Sequence, residues 1–298
     1  MIALVMVGLF LTGLMVQRWG QASRMRDGMW WMSYNLLAPL ISFAGFASVT
    51  VGGQLLGAFL AVVVSSWLVL VLSRTYARYV GPDPAERGAI ALAGAFGNTS
   101  FLGLPVAGLF FGDSGVALMA LYAQLRWVLP EIAVTVATAE AYGERGRTPP
   151  LRSLARYVVN PPTIAALLTV VLRVGGVDMV EQGILVGRVM AQIAGPFGFL
   201  LLGLSLPLDP WGGSGLSPRD LGALVVRHAV SPLCLLVVAA VFRVNVPAVF
   251  ILGSAMPCAF NLVVIAGLFE VDARKTRSLV LISTALALAA ILIASLAR

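Results

Sequence analysis

Gly97-Asn98-Thr99-Ser100-Phe101-Leu102-Gly103-Leu104-Pro105 interrupts an apolar segment that covers residues 88–112. A continuous membrane helix would not choose these residues. Gly103 weakens a helix, and Pro105 removes one backbone hydrogen bond and clashes with the preceding turn. Asn98, Thr99 and Ser100 set three polar side chains at bilayer depth, where each needs a partner. A second such stretch, Ser254-Ala255-Met256-Pro257-Cys258-Ala259-Phe260-Asn261, lies inside residues 246–269. Glycine and proline are ordinary in membrane helices, so one such stretch alone reads as a kink. Two in corresponding places of two halves, each with an asparagine near its proline, point to broken helices around a solute-binding site.

Composition sets the class within which this holds. The chain is 59% hydrophobic and 11% charged, with a mean hydropathy of +0.95. That excludes a water-soluble globule and a disordered chain, and repeated apolar runs of about 20 residues indicate an all-α polytopic membrane protein. Ten transmembrane helices are expected, over residues 1–17, 30–49, 54–73, 88–112, 115–139, 157–174, 184–206, 221–242, 246–269 and 278–297. The first run has no basic residue before it and Arg18 after it, the reverse of a secretory signal, and reads as a retained span.

With the N-terminus outside, the inner connections carry 15 of the 20 basic residues, Arg227 among them, and the outer ones carry Arg173, Arg188, Arg243 and Arg298. The asymmetry predicts a multi-pass cell (inner) membrane protein with both termini outside, on the periplasmic face. The net charge of +7 is spread between spans and forms no continuous basic patch, so no nucleic-acid partner is expected. Cys234 and Cys258 both lie in apolar runs and suggest neither a disulfide framework nor a metal site, and no cofactor motif occurs. With one histidine and no His-Glu-x-x-His or Gly-x-Ser-x-Gly pattern, an enzyme is not expected.

The chain also repeats itself. Ala38-Pro39-Leu40-Ile41-Ser42-Phe43 parallels Gly195-Pro196-Phe197-Gly198-Phe199, and Ala107-Gly108-Leu109-Phe110 matches Ala266-Gly267-Leu268-Phe269 at nearly the same offset. Two five-span halves must be oppositely oriented because five is odd, giving a 5+5 inverted-topology repeat. The expected organisation is residues 1–139, a cytoplasmic connection at 140–156, and residues 157–298.

These residues resemble the auxin efflux carrier (PIN-like) family, here a bacterial member. Asn98-Thr99 with Gly103-Leu104-Pro105 is similar to its fourth-span motif, and Phe111-Gly112-Asp113 to the segment after it. Ala255-Met256-Pro257 looks like its ninth-span counterpart, and Pro39-Leu40-Ile41-Ser42-Phe43, Asn160-Pro161 and Arg227 with Pro232 fit its second, sixth and eighth spans. The resemblance implies that helices 4 and 9 are broken and cross at the two prolines. It also implies a homodimer and elevator-type alternating access for organic anions, with spans 3–5 and 8–10 moving against spans 1, 2, 6 and 7. Gln124 with nearby Trp127 matches a family position that faces substrate. Arg126 and Glu131 in span 5, and the short central connection, depart from the family pattern.

The physics of a broken helix also favours an anion, because it exposes backbone N–H groups at the positive end of the next half-helix. Breaks expected near 101–106 and 255–260 make Asn98, Thr99, Ser100, Gly103, Pro105, Met256, Pro257, Cys258 and Asn261 candidate substrate-binding residues. Asn98 and Asn261 can each donate to a carboxylate, or instead tie freed backbone; Thr99 and Ser100 can also bond back to their own helix. Arg126 can grip a second carboxylate or hold backbone carbonyls. Glu131 and His228 are candidates for proton coupling, or else an interfacial acid and a capping histidine at an inner helix end. The expected function is a secondary active or potential-driven carrier of small organic anions in the lipid bilayer. A sodium- or proton-coupled symporter on the related bile-acid-carrier fold is the alternative.

Overall fold

The computed structural model describes residues 2–49, 52–126, 160–205, 217–268 and 271–296. Among these the chain is helical, without a strand. In order it forms α1 (Ile2–Val16), α2 (residues 22–48, with a π turn at Ser33–Leu37), α3 (Gly53–Val80), α4 (Pro84–Ala95) and α5 (Leu104–Arg126). There follow α6 (Pro161–Val174), α7 (Val180–Ser205), α8 (Pro218–Phe242, with a π turn at Val226–Val230), α9 (Ala248–Ser254), α10 (Leu262–Leu268) and α11 (Ala273–Leu296). Among the described residues five helical runs are long and apolar enough to cross a membrane: Gly53–Val80, Thr99–Arg126, Val180–Ser205, Pro218–Phe242 and Ala273–Leu296. The expectation of an all-helical membrane protein stands on them. Glu131 and the 140–156 connection lie outside the described residues.

Helix starts are written in the sequence. Asp83-Pro84, Asn160-Pro161 and Ser217-Pro218 each place a capping side chain before a proline in the first turn, where its missing N–H costs nothing. Asp83 accepts from Glu86 N at 2.8 Å and Asn160 from Thr163 N at 2.9 Å, while Ser217 and Asp220 form a reciprocal capping box.

The packing is that of a protein in lipid. On α3 the buried stripe is Ala58, Ala61, Ser65, Val69, Ser73 and Ala77, while Leu56, Leu60, Val64, Trp67 and Val71 face outward. Small residues inside let helices approach closely, and large apolar ones remain for the acyl chains. The closest approaches sit at glycines. A Cβ on Gly13 of α1 would fall 2.9 Å from Gly203 Cα of α7, and one on Gly45 of α2 would fall 2.7 Å from Leu121 N of α5. α1, α2, α6 and α7 pack on one another, α3, α4, α8 and α11 pack on one another, and α5 lies against both groups. At one end of the second group Lys275 bridges Glu86 at 2.7 Å and Asp220 at 3.1 Å, joining the starts of α4, α8 and α11.

Both expected interruptions occur, but the first lies earlier than expected. α4 ends at Ala95, Phe96 is extended, and a π turn at Thr99–Gly103 leads into α5. The break is therefore at residues 96–98 rather than 101–106, and Pro105 stands in the opening turn of α5. The proline follows the π turn, whose wider backbone accommodates a residue that has no N–H to give the preceding carbonyls. The fourth and fifth expected spans join through Gly112, whose backbone (φ 64°, ψ −155°) is open only to glycine and bends α5.

Candidate functional site

The two breaks lie side by side. Asn98 N–H donates to Pro257 O at 2.6 Å and Ala259 N–H donates to Phe96 O at 3.1 Å. This is an isolated antiparallel bridge between Gly97 and Cys258. Backbone freed by ending one helix is satisfied by backbone freed from the other, which is what an interior without water demands. Gly97 permits the approach, since a Cβ there would sit 3.3 Å from both Met256 O and Arg227 Cζ.

Side chains brace this pair. Asn98 is 3% exposed; its Oδ1 accepts from Phe101 N at 3.1 Å and caps the π turn, and its backbone carbonyl accepts from Gly103 N at 3.1 Å. Its amide Nδ2 is buried without a hydrogen-bond partner among the described residues. A Cβ on Gly103 would fall 3.1 Å from Met119 Sδ and 3.5 Å from Met256 Cγ. Thr99 is buried with its N–H on Gly97 O, and Ser100 is half-buried. Cys258 N–H donates to Ser283 Oγ at 2.9 Å, and its thiol donates to Ala93 O. Asn261 opens α10 half-buried, with its Oδ1 unpartnered among the described residues.

Two arginines converge on the end of α4. Arg126 Nη2 and Arg227 Nη1 both donate to Ala95 O, at 2.9 and 2.7 Å. Arg227 also donates through Nη2 to Ser231 Oγ at 2.8 Å and to Ser254 O, the last carbonyl of α9. One guanidinium thus holds the carboxyl ends of both broken helices, the ends that carry negative dipole charge. Arg126 is 3% exposed, lies 5.8 Å from the Tyr122 ring centroid and reaches the Tyr122 hydroxyl at 3.5 Å.

Placement beside the breaks corrects one expectation. Arg227, counted among the inner-connection charges, is 0% exposed and buried among the helices, so it drops out of that charge count. His228 has its Nδ1 3.2 Å from the carbonyl of Ala255, the C-cap residue of α9, and its Nε2 2.8 Å from Ser283 Oγ, so it braces the second break. The cause is the π turn at Val226–Val230, whose wider backbone lets adjacent residues address one neighbouring segment. Gln124 is buried with Oε1 unpartnered among the described residues. It stands two positions from Arg126, about 200° round the helix, so the two do not share a face. Glu131 lies outside the described residues. The sequence reading named Arg227 and Ser254 without a role at the site and did not single out Ser231 and Ser283. For Arg227 the signal was present, a lone charge within the apolar run 221–242, which is the rule that drew attention to Arg126.

A cleft of about 440 Å³ runs between α1, α5 and α7, lined by Met6, Pro105, Gln192 and Pro196 together with Asp113 and Arg188. That pair is bidentate, Arg188 Nη2 to Asp113 Oδ2 at 2.6 Å and Nε to Oδ1 at 3.2 Å, and joins the bend of α5 to α7.

The sequence is matched among known proteins. Residues 150–295, which contain α6 to α11 and the second break, match the family model described as membrane transport protein. The matched segment makes up just under half of the chain and is similar there to that family. The match bears out the resemblance to the auxin efflux carriers. The chain is also 26% identical over 214 residues to a protein of Methanocaldococcus jannaschii named an uncharacterized transporter. The alignment covers 67% of this chain and 65% of that relative, just under two thirds of its length. The family is one of membrane transport proteins and not an enzyme class.

Proposed function

We propose that this chain is a membrane transport protein, a secondary carrier of small organic anions, with a carboxylate held where the two broken helices meet. The observation that carries the reading is the paired break itself: two helix interruptions bridged to one another, with the buried Asn98 amide lacking an acceptor among the described residues and two buried guanidinium groups close by. A buried amide donor without an acceptor costs free energy until a ligand supplies one. Arg227 neutralises the negative ends of α4 and α9, which leaves donors to dominate the field at the breaks. In this reading the ten spans form a five-plus-five inverted repeat whose fourth and ninth members cross, in a homodimer in the cell membrane with both termini outside. The group of α3, α4, α8 and α11 moves with the breaks as an elevator against α1, α2, α6 and α7, a division supported by how the helices pack.

Transport in proteoliposomes, with a panel of mono- and dicarboxylates under imposed ion gradients, tests it. Asn98→Ala removes one buried donor and should cost about 1–3 kcal/mol, roughly 5- to 150-fold in affinity. Asn98→Asp should cost more, because it places a like charge beside the substrate in low dielectric. Uptake of a neutral or cationic solute that Asn98→Asp leaves unchanged would overturn the anion reading.

A further inference from the structure

We infer that His228 holds the coupled ion, a proton taken up at Nε2 together with each substrate anion, so that the carrier is a proton–anion symporter. This rests on the anion reading above and adds the driving ion and its site to it.

The hydrogen bonds at the second break fix the state of the neutral ring. Ala255 O can only accept, so the ring hydrogen lies on Nδ1 and Nε2 keeps a lone pair. Ser283 Oγ, 2.8 Å away, donates to that lone pair and accepts from Cys258 N–H at 2.9 Å. Ring and serine together span Met256-Pro257, from the residue before to the residue after.

The same contacts receive the charged ring. A proton from water forms an Nε2–H bond, and Ser283 Oγ turns a lone pair towards it. A hydroxyl oxygen has two lone pairs, so it accepts from Cys258 N–H and from the ring at once. Its own hydrogen then reaches a carbonyl one turn back on α11, as helical serines do. Neither state strands a buried donor, so charge decides between them. His228 is half-buried, which leaves water a route to it, whereas Arg227 is 0% exposed.

The charges around the ring call for an anion. On α8 the adjacent Arg227 repels a second cation, and Arg126 adds a further positive charge at Ala95 O. The second break brings the Cys258 thiol, which donates to Ala93 O, and α11 brings the uncharged Ser283. From α3, Val69 packs on the π turn of α8. The acids of the surrounding helices are engaged at the helix starts: Lys275 bridges Glu86 and Asp220, and Asp272 caps Lys275 N at 2.9 Å. A carboxylate between the breaks supplies the missing counter-charge, so proton and anion each favour the other. One proton with one monocarboxylate moves no net charge, and uptake then follows the proton gradient rather than the membrane potential.

His228 is the one histidine of the chain, so nitrogen NMR of histidine-labelled full chain, without a histidine tag and in lipid nanodiscs, reports it alone. Without ligand at about pH 8 the ring should be neutral with its hydrogen on Nδ1. Saturating butyrate, benzoate or succinate at about pH 7 should produce the charged ring. Binding of these anions should tighten roughly 5- to 50-fold from about pH 8 to about pH 6, because the charged ring attracts them. His228→Asn keeps a donor for Ala255 O and has nothing to protonate. Whatever its affinity at about pH 8, that affinity should change less than about 2-fold across the same range. Wild-type proteoliposomes should take up protons with butyrate, and those of His228→Asn should not. If that variant does not fold, the wild-type spectra decide. A hydrogen on Nε2 of the neutral ring, a ring that stays neutral with anion bound, or an unchanged pH dependence in His228→Asn would overturn the inference and leave the anion reading standing. Binding of none of the three anions at any pH refutes both.

Discussion

Replacing Arg126 and Arg227 by methionine, singly and together, measures whether the two guanidinium groups share one acceptor. Each single variant carries its own desolvation gain and packing loss, which are hard to predict because removing a buried charge also removes the cost of burying it. Those terms cancel in the coupling energy of a double-mutant cycle. Two contributions remain. Ala95 O keeps one donor in either single variant and loses both only in the double, so the orphaned carbonyl, about 1–3 kcal/mol, appears only there. The repulsion between the cations is relieved once by either single change and cannot be relieved again. Their nearest nitrogens are separated by no more than the sum of 2.9 and 2.7 Å, and unit charges at that greatest separation repel by ~3 kcal/mol at an effective dielectric of 20. Both contributions have the same sign: the double variant should be less stable than the sum of the singles predicts, by at least about 1–3 kcal/mol. Unfolding by SDS titration in mixed micelles reads the difference directly. Additivity within about 0.5 kcal/mol would show that the two arginines do not meet at Ala95.

Two further predictions concern motion and packing. Asp113 and Arg188 join the bend of α5 to α7 in an exposed ion pair, which adds little to stability because solvent screens it, yet it must open if α5 slides past α7. A disulfide between Asp113→Cys and Arg188→Cys should stop transport and release it on reduction; unchanged turnover in the cross-linked protein would argue against sliding at this contact. Gly13→Ala places a methyl group against Gly203 Cα and Leu204 N, where only backbone can give way, and should destabilise the protein by about 1–3 kcal/mol in a thermal-unfolding assay.

By itself the sequence determined the class, the helical content and the presence of two interruptions. Those follow from local physics. Apolar runs of bilayer length admit only helices, Asp83-Pro84, Asn160-Pro161 and Ser217-Pro218 start helices wherever they stand, and glycine with proline breaks them. The polar residues Asn98 and Cys258 were legible as members of the breaks for the same reason, since the cost of a polar or broken backbone in lipid does not depend on its neighbours' identity.

Where the first break falls was decided by tertiary structure. Locally Pro105 is the strongest breaker, yet the chain opens at residues 96–98, because there its backbone finds Pro257 O and Ala259 N across the gap. The role of Arg227 was hidden for a related reason. A sequence shows a charge near the end of an apolar run, and only the π turn at Val226–Val230 and the neighbouring helix ends turn it inward to two carbonyls more than a hundred residues apart in the chain. Hydrogen bonds between distant segments leave no periodicity and no composition signal, so the partner of a buried polar group has to be found in three dimensions.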